Sequence, residues 1–147
     1  MSKEESNLVV KGFDTIQVST PTKMYCYTTI DPQDIKRLYN LDNSDCDFRL
    51  NDCKGQAIRV VDVLIKNFEK FVDDDGNELD KPITKKVTIL IDDAGKTYVT
   101  ASKIFAIQME RFIGRFGNEA IKNGLEIKIT EKEIKGSKNK GLGFELI

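Results

Sequence analysis

A mainly β chain, built on a five-stranded barrel with one helix, is what the sequence predicts, on three observations. From residue 57 onward, apolar and polar residues alternate in short runs separated by turn-forming clusters. Between the third and fourth runs the period becomes helical, with Phe105, Met109, Phe112 and Phe116 on one stripe. The length of 147 residues suits a single core with a modest extension.

Taken in order, residues 1–20 alternate weakly, with Leu8, Val10, Ile16 and Val18 as one face. They read as a flexible N-terminal arm able to form a strand at an available edge, and Pro21 closes it. Residues 21–55 form a strand–helix extension. Met24 to Ile30 has strand composition. Asp31-Pro32-Gln33-Asp34 then opens a helix, with Asp31 as cap, Pro32 in the first turn and Ile35, Leu38 and Tyr39 as an apolar stripe.

Residues 56–147 carry the barrel, so that 21–147 form one domain. Its first strand is 57–72, with Val61, Val63 and Ile65 inward. A turn at Asp73-Asp74-Asp75-Gly76-Asn77 leads into a polar loop reaching Lys85. The second strand is 86–92, with Val87, Ile89 and Ile91 inward. A tight connection through Gly95 leads to the third, 97–101. Ser102 caps the helix, and Gly117 or Gly124 stops it. The fourth strand is 125–135, and after a Lys- and Gly-rich turn the fifth holds Leu142, Phe144 and Leu146. Strand, strand, strand, helix, strand, strand is the element order of the OB-fold, a Greek-key barrel that binds oligonucleotides or oligosaccharides.

Composition removes most catalytic devices. There is no His, so the commonest general base and metal ligand are missing together. Cys26, Cys46 and Cys53 lack CxxC spacing and read as reduced structural thiols. Asp73 to Glu78 fails as an EF-hand: with Gly76 sixth, the first and twelfth places fall on Phe71 and Pro82. No phosphate-cradling glycine motif is present. The expectation is a non-enzyme with no cofactor, no metal and no small-molecule substrate. No apolar run approaches a membrane span and no apolar signal core follows the first charges, so a cytoplasmic location away from membranes is expected. The net charge of −1 is uneven: −2 over 1–50, −2 over 51–101 and +3 over 102–147. That leaves room for a local basic groove.

An OB barrel presents the outer face of its first three strands, flanked by two loops. On the first strand, the parity opposite Val63 and Ile65 reads Leu64, Lys66, Phe68, Lys70. The second strand adds Lys86, Thr88 and Leu90, and the third exposes Tyr98 and Thr100. Single-stranded nucleic acid needs cations along a groove with flat side chains between them. Phe68 and Tyr98 are therefore the stacking candidates, with Lys66, Lys70 and Lys86 beside them. The competing account packs Phe68 under the arm or the N-terminal helix and leaves the lysines to solvate the sheet. Lys135, Lys138 and Lys140, in the turn before the last strand, are candidates for phosphate contact. The alternative there is an ordinary soluble hairpin. Arg111 and Arg115 read as surface or interface residues of the helix.

Several motifs also resemble a known family. Asp47-Phe48-Arg49-Leu50-Asn51-Asp52 with Gly55, Ile58 and Val60 to Val63, then Ile91-Asp92-Asp93 with Gly95 and Tyr98, and Phe116-Gly117, are similar to single-stranded-DNA-binding proteins of phages and conjugative plasmids of Gram-positive bacteria. The resemblance spans about residues 24–147. It implies an OB-fold that coats single-stranded DNA with little sequence preference during plasmid conjugation, replication or phage DNA processing, and a DNA-facing role for Tyr98. Cellular single-strand binders end in an acidic recruiting tail, whereas Gly143 to Ile147 reads as a strand. Cooperation along DNA would then use self-association through residues 1–20 added to a neighbour's sheet edge. Two other readings stay open. One is a protein–protein adaptor using Tyr25, Tyr27 and Phe68. The other is an RNA-binding or hydrolytic enzyme pairing Asp92 with Asp93.

Overall fold

Residues 8–11, 13–19, 22–73, 75–133, 136 and 140–147 are described by the structure, a computed structural model; for 8–25 and 140 the description is of the backbone. Strands take up 48% of the chain, which makes it mainly β. They are β1 (Leu8–Lys11), β2 (Phe13–Ser19), β3 (Thr22–Thr28), β4 (Phe48–Arg49), β5 (Ala57–Val72), β6 (Glu78–Asp92), β7 (Thr97–Thr100), β8 (Leu125–Glu133) and β9 (Lys140–Leu146). The helices are α1 (Ile35–Asn43), α2 (Lys103–Phe116) and the single turn α3 (Glu119–Lys122).

Among the described residues, β1 to β9 join one sheet that curls into a half-barrel with the helices against it. The long strand β5 organises it. One edge of β5 pairs with β6, while the other is divided: residues 57–60 pair with β8 and 64–70 with β3. β6 continues to β7, β8 to β9, and β4 lies parallel to β7. The strands of the 1–20 segment pair in sequence, β1 on β2 and β2 on β3, so they extend this chain's own sheet.

A bulge at Val61, between the pairs Val60↔Asp92 and Asp62↔Ile91, shifts the phase of β5. Ile58 and Val60 before it, and Val63 and Ile65 after it, all reach the core, while Val61 is left half-buried. The expected inward set of Val61, Val63 and Ile65 is corrected accordingly. The polar loop expected before Lys85 is strand: β6 begins at Glu78, and Lys70↔Ile83, Glu69↔Thr84 and Phe68↔Lys85 are paired. Cross-strand pairing with β5 overrides its polar composition. Asp73 makes the turn, its Oδ1 accepting from the N–H of Asp75 and of Asn77, both at 2.9 Å.

The core lies between this sheet and α2, which buries Phe105, Ala106, Met109 and Ile113. Ser102 caps α2 as expected, its Oγ accepting from Phe105 N–H. Gly117, at φ 85°, ends it with its N–H on Ile113 O. The expected stripe is rotated at its C-terminal end, where Ile113 takes the core position, Phe112 is half-buried and Phe116 is 57% exposed. α1 begins one turn later than expected: Asp34 is the cap, and Asp31 instead holds the preceding turn through Gln33 N–H. Its Ile35 and Tyr39 face outward, at 73% and 64% exposure.

Candidate nucleic-acid interface

Partners across an antiparallel ladder share a face, so the register sorts the candidate residues. Cys26↔Lys66↔Val87 and Met24↔Phe68↔Lys85 place Lys66 and Phe68 on one side of the sheet, and Lys70 follows them at the same parity. Asn67↔Lys86 and Val63↔Leu90↔Tyr98 place Lys86 and Tyr98 on the other. The expected single face does not exist: two of these five residues point toward the core side. The physical reason lies in β6, which is covered on both faces. Leu90 and Thr88 lie fully buried in the interior, while Ile89 and Ile91 are 3% and 4% exposed on the opposite side. A run that is apolar on both faces carries no alternation from which to read its inward parity.

The side bearing Lys66 is the side on which α1 lies. Lys66 Nζ is 3.4 Å from Asp42 Oδ1 of that helix. Arg37, one turn earlier, meets Asp62 Oδ2 at 2.9 Å. Phe68 is half-buried. Asp62 itself is 5% exposed and also accepts from Lys122 Nζ at 3.0 Å and Thr29 Oγ1 at 2.8 Å. Across the sheet, Lys86 donates to Asn67 and meets both carboxylate oxygens of Glu110 at 3.1 Å. Lys66 and Lys86 are thus neutralised within the fold. Lys135 and Lys138 lie outside the described residues. Lys140 opens β9, pairing with Glu133 across the ladder.

Tyr98 finds a different neighbourhood. Its ring stacks on Phe48, centroids 5.1 Å apart and planes 29° from parallel, and Phe48 is 46% exposed. β4 is held there by Asp47, whose Oδ2 accepts from Thr97 N–H at 2.9 Å while Asp47 N–H donates to Thr97 Oγ1 at 3.0 Å. The Thr97 N–H holds the Asp47 carboxyl below its ordinary range. Tyr98 Oη donates to Asp92 Oδ2 at 2.8 Å, and Asp92 Oδ1 accepts from Ala94 and Lys96 N–H to make the turn before β7. Burial, followed by the Asp92 hydrogen bond, pushes the Tyr98 phenol up to about 12. The phenol is therefore neutral and its ring fixed at physiological pH. Asp92 and Asp93 serve the turn and an Arg59 contact at 3.9 Å.

Two clefts meet at Arg49. One, of about 410 Å³, is lined by Phe48, Tyr98, Gln56, Asp47 and Asp52 among others. The second, of about 510 Å³, runs between the end of β7 and the start of β9, past Asn51, Thr100, Ser102, Lys103 and Gly141. An added Cβ at Gly141 would stand 2.6 Å from Ile104 Cδ1, so the Ile104 side chain would have to shift. Arg49 and Lys103 are exposed, and no carboxylate lies within ion-pair distance of either among the described residues. One cleft thus offers an aromatic platform with hydrogen-bonding carboxylates. Its continuation offers two unneutralised cations. Of the site residues named from sequence whose side chains are described, Tyr98 alone lies here. Phe48 and Arg49 stood among the family-like motifs, but a two-residue strand has no periodicity to reveal its pairing with β7.

No protein-family model, no curated protein and no solved structure matches the chain. Among the described residues, no helix is long and apolar enough to cross a membrane.

Proposed function

We propose that the protein binds single-stranded DNA with little sequence preference, stacking bases on the Phe48–Tyr98 platform and seating phosphates at Arg49 and Lys103. The observation that carries this reading is the partly exposed, stacked Phe48–Tyr98 pair opening into a cleft whose cations have no acidic partner among the described residues. Every base has a π face, so a stacking platform is tolerant of sequence. Asp47 and Asp52 beside the rings repel phosphate and accept from base amino groups, which places the backbone on the Arg49–Lys103 side.

We read the core as an OB barrel: β5, β6 and β7, the helix α2, then β8 and β9, with β1–β3 and α1 as additions. The curl of the sheet and the division of the β5 edge between β8 and β3 support that reading. It accords with the resemblance to phage and conjugative-plasmid single-strand binders and with a cytoplasmic setting in DNA transfer or replication. Because β1 and β2 pair within this chain's own sheet, any self-association through them would use the outer edge of β1 rather than a free arm. Lys135, Lys138 and Lys140 would add charge at the loop end of the same groove. Lys66 and Lys86 are engaged by acidic partners within the fold, and Phe68 and Lys70 lie on the opposite side of the sheet from Tyr98.

A protein adaptor is the second reading, favoured by the exposed Ile35 and Tyr39 of α1. Tyr27 is engaged with Asn118 and half-buried, which weakens an aromatic interface built on Tyr25, Tyr27 and Phe68. Fluorescence-anisotropy titration with labelled single strands, duplex and RNA at two salt concentrations tests the DNA reading. Log affinity should fall by about 0.7 per log unit of salt for each phosphate contacted. Salt-independent binding, or equal affinity for duplex, would refute it.

A further inference from the structure

Four cations in this region have no acidic partner among the described residues: Arg49 and Lys103 in the cleft, and Arg111 and Arg115 further along α2. All four are exposed. Lys103, Arg111 and Arg115 fall on positions i, i+8 and i+12 of one helix. At 3.6 residues per turn they lie within about one third of its circumference, and they span about 18 Å along the axis. The row starts in the cleft and ends beside an aromatic group. The Arg115 guanidinium carbon stands 5.6 Å from the Phe116 centroid, and Phe116 packs on Phe112 at 4.9 Å and 44°. Phe112 is braced in turn against Phe144, at 6.5 Å.

Phe116 is thus a ring held firmly from behind and open in front. It adds nothing to the buried set of α2. We infer that α2 carries a second contact track, along which a single strand leaving the cleft runs from Lys103 past Arg111 and Arg115 to stack a base on Phe116. The inference rests on the proposed DNA binding and extends it to a second, separate seat. Continuity with the cleft through Lys103, and an exposed Phe116 ring at the end of the row on which a base can stack, select nucleic acid over an acidic peptide as occupant.

Oligothymidylates of about 4 and about 16 nucleotides, the limits of single-groove site sizes, separate the two seats. Arg111→Glu with Arg115→Glu, and Phe116→Ala alone, should each weaken the long strand about tenfold or more and leave the short one unchanged. The charge-preserving pair Arg111→Lys with Arg115→Lys should retain most long-strand affinity. Phe48→Ala should weaken both lengths. Unchanged long-strand affinity in the Glu pair overturns the track and leaves the patch to a protein partner. Equal loss on both lengths also overturns it, by making the effect general. Phe48→Ala without effect on either length sinks the underlying cleft reading instead, while a length-selective loss in the α2 variants would still stand.

Discussion

The side-chain amide of Gln108 meets the backbone of Phe144 at both of its groups: Nε2 donates to the carbonyl at 2.7 Å and Oε1 accepts from the N–H at 3.1 Å. An amide presented this way supplies what a neighbouring strand would supply. β9 pairs with β8 alone among the described strands, and α2 lies along its other side. Ser102 Oγ makes a similar contact with Leu142 N–H, at 3.4 Å. The sheet is therefore finished on this side by a helix rather than by a strand.

Gln108→Leu keeps the volume and removes both bonds, leaving the Phe144 groups without those partners. The expected cost is about 1–3 kcal/mol. Urea denaturation of the two proteins checks it, and an unchanged midpoint would show that water replaces the amide freely.

Asp62 joins three parts of the chain: Arg37 of α1, Lys122 of α3 and Thr29 after β3. The carboxylate is buried, whereas both cations are about 40% exposed. Losing one cation leaves the other in place, so Arg37→Ala or Lys122→Ala alone should cost about 1 kcal/mol. Losing both strands a buried charge and should cost about 3 kcal/mol or more. Denaturation of the two single variants and the double variant measures this coupling. Simple additivity of two small effects would contradict it.

Tyr98 makes a specific alkaline prediction. Its phenol keeps its proton to about 12 in the fold, whereas an unfolded tyrosine releases it near 10. The contribution is complete below about 10 and is lost as pH rises toward about 12, because the unfolded state then binds fewer protons. Tyr98→Phe removes this dependence. Denaturation midpoints at about pH 9 and about pH 11 should therefore drop less in the variant than in the parent. Equal drops would show that burial and the Asp92 hydrogen bond do not raise the phenol.

Much of the chain's architecture was legible in the sequence, because its signals were local. The helical spacing from Phe105 to Met109, the cap at Ser102 and the turns at Asp73 and Asp92 all depend on near neighbours. The candidate site was far less legible. The alternation of Val87, Ile89, Ile91 and Val99 points to the wrong inward parity on β6 and β7, since nothing local announces that α1 lies on the opposite side. One bulge at Val61 then changed the phase of β5. Phe48 meets Tyr98 across fifty residues of chain through a strand of two. The acidic partners of Lys66 and Lys86 lie on separate helices, so the sequence showed the charges and concealed their neutralisation.

The central claim is that bases stack on Phe48 and Tyr98, and photochemical crosslinking tests it at the residue. The protein is irradiated with oligothymidylate, digested, and its crosslinked peptides are mapped by mass spectrometry. The account predicts adducts on Phe48 or Tyr98, lost when excess unlabelled single strand competes. Adducts confined to Phe68 and the α1-bearing side of the sheet, with none at Phe48 or Tyr98, would contradict it.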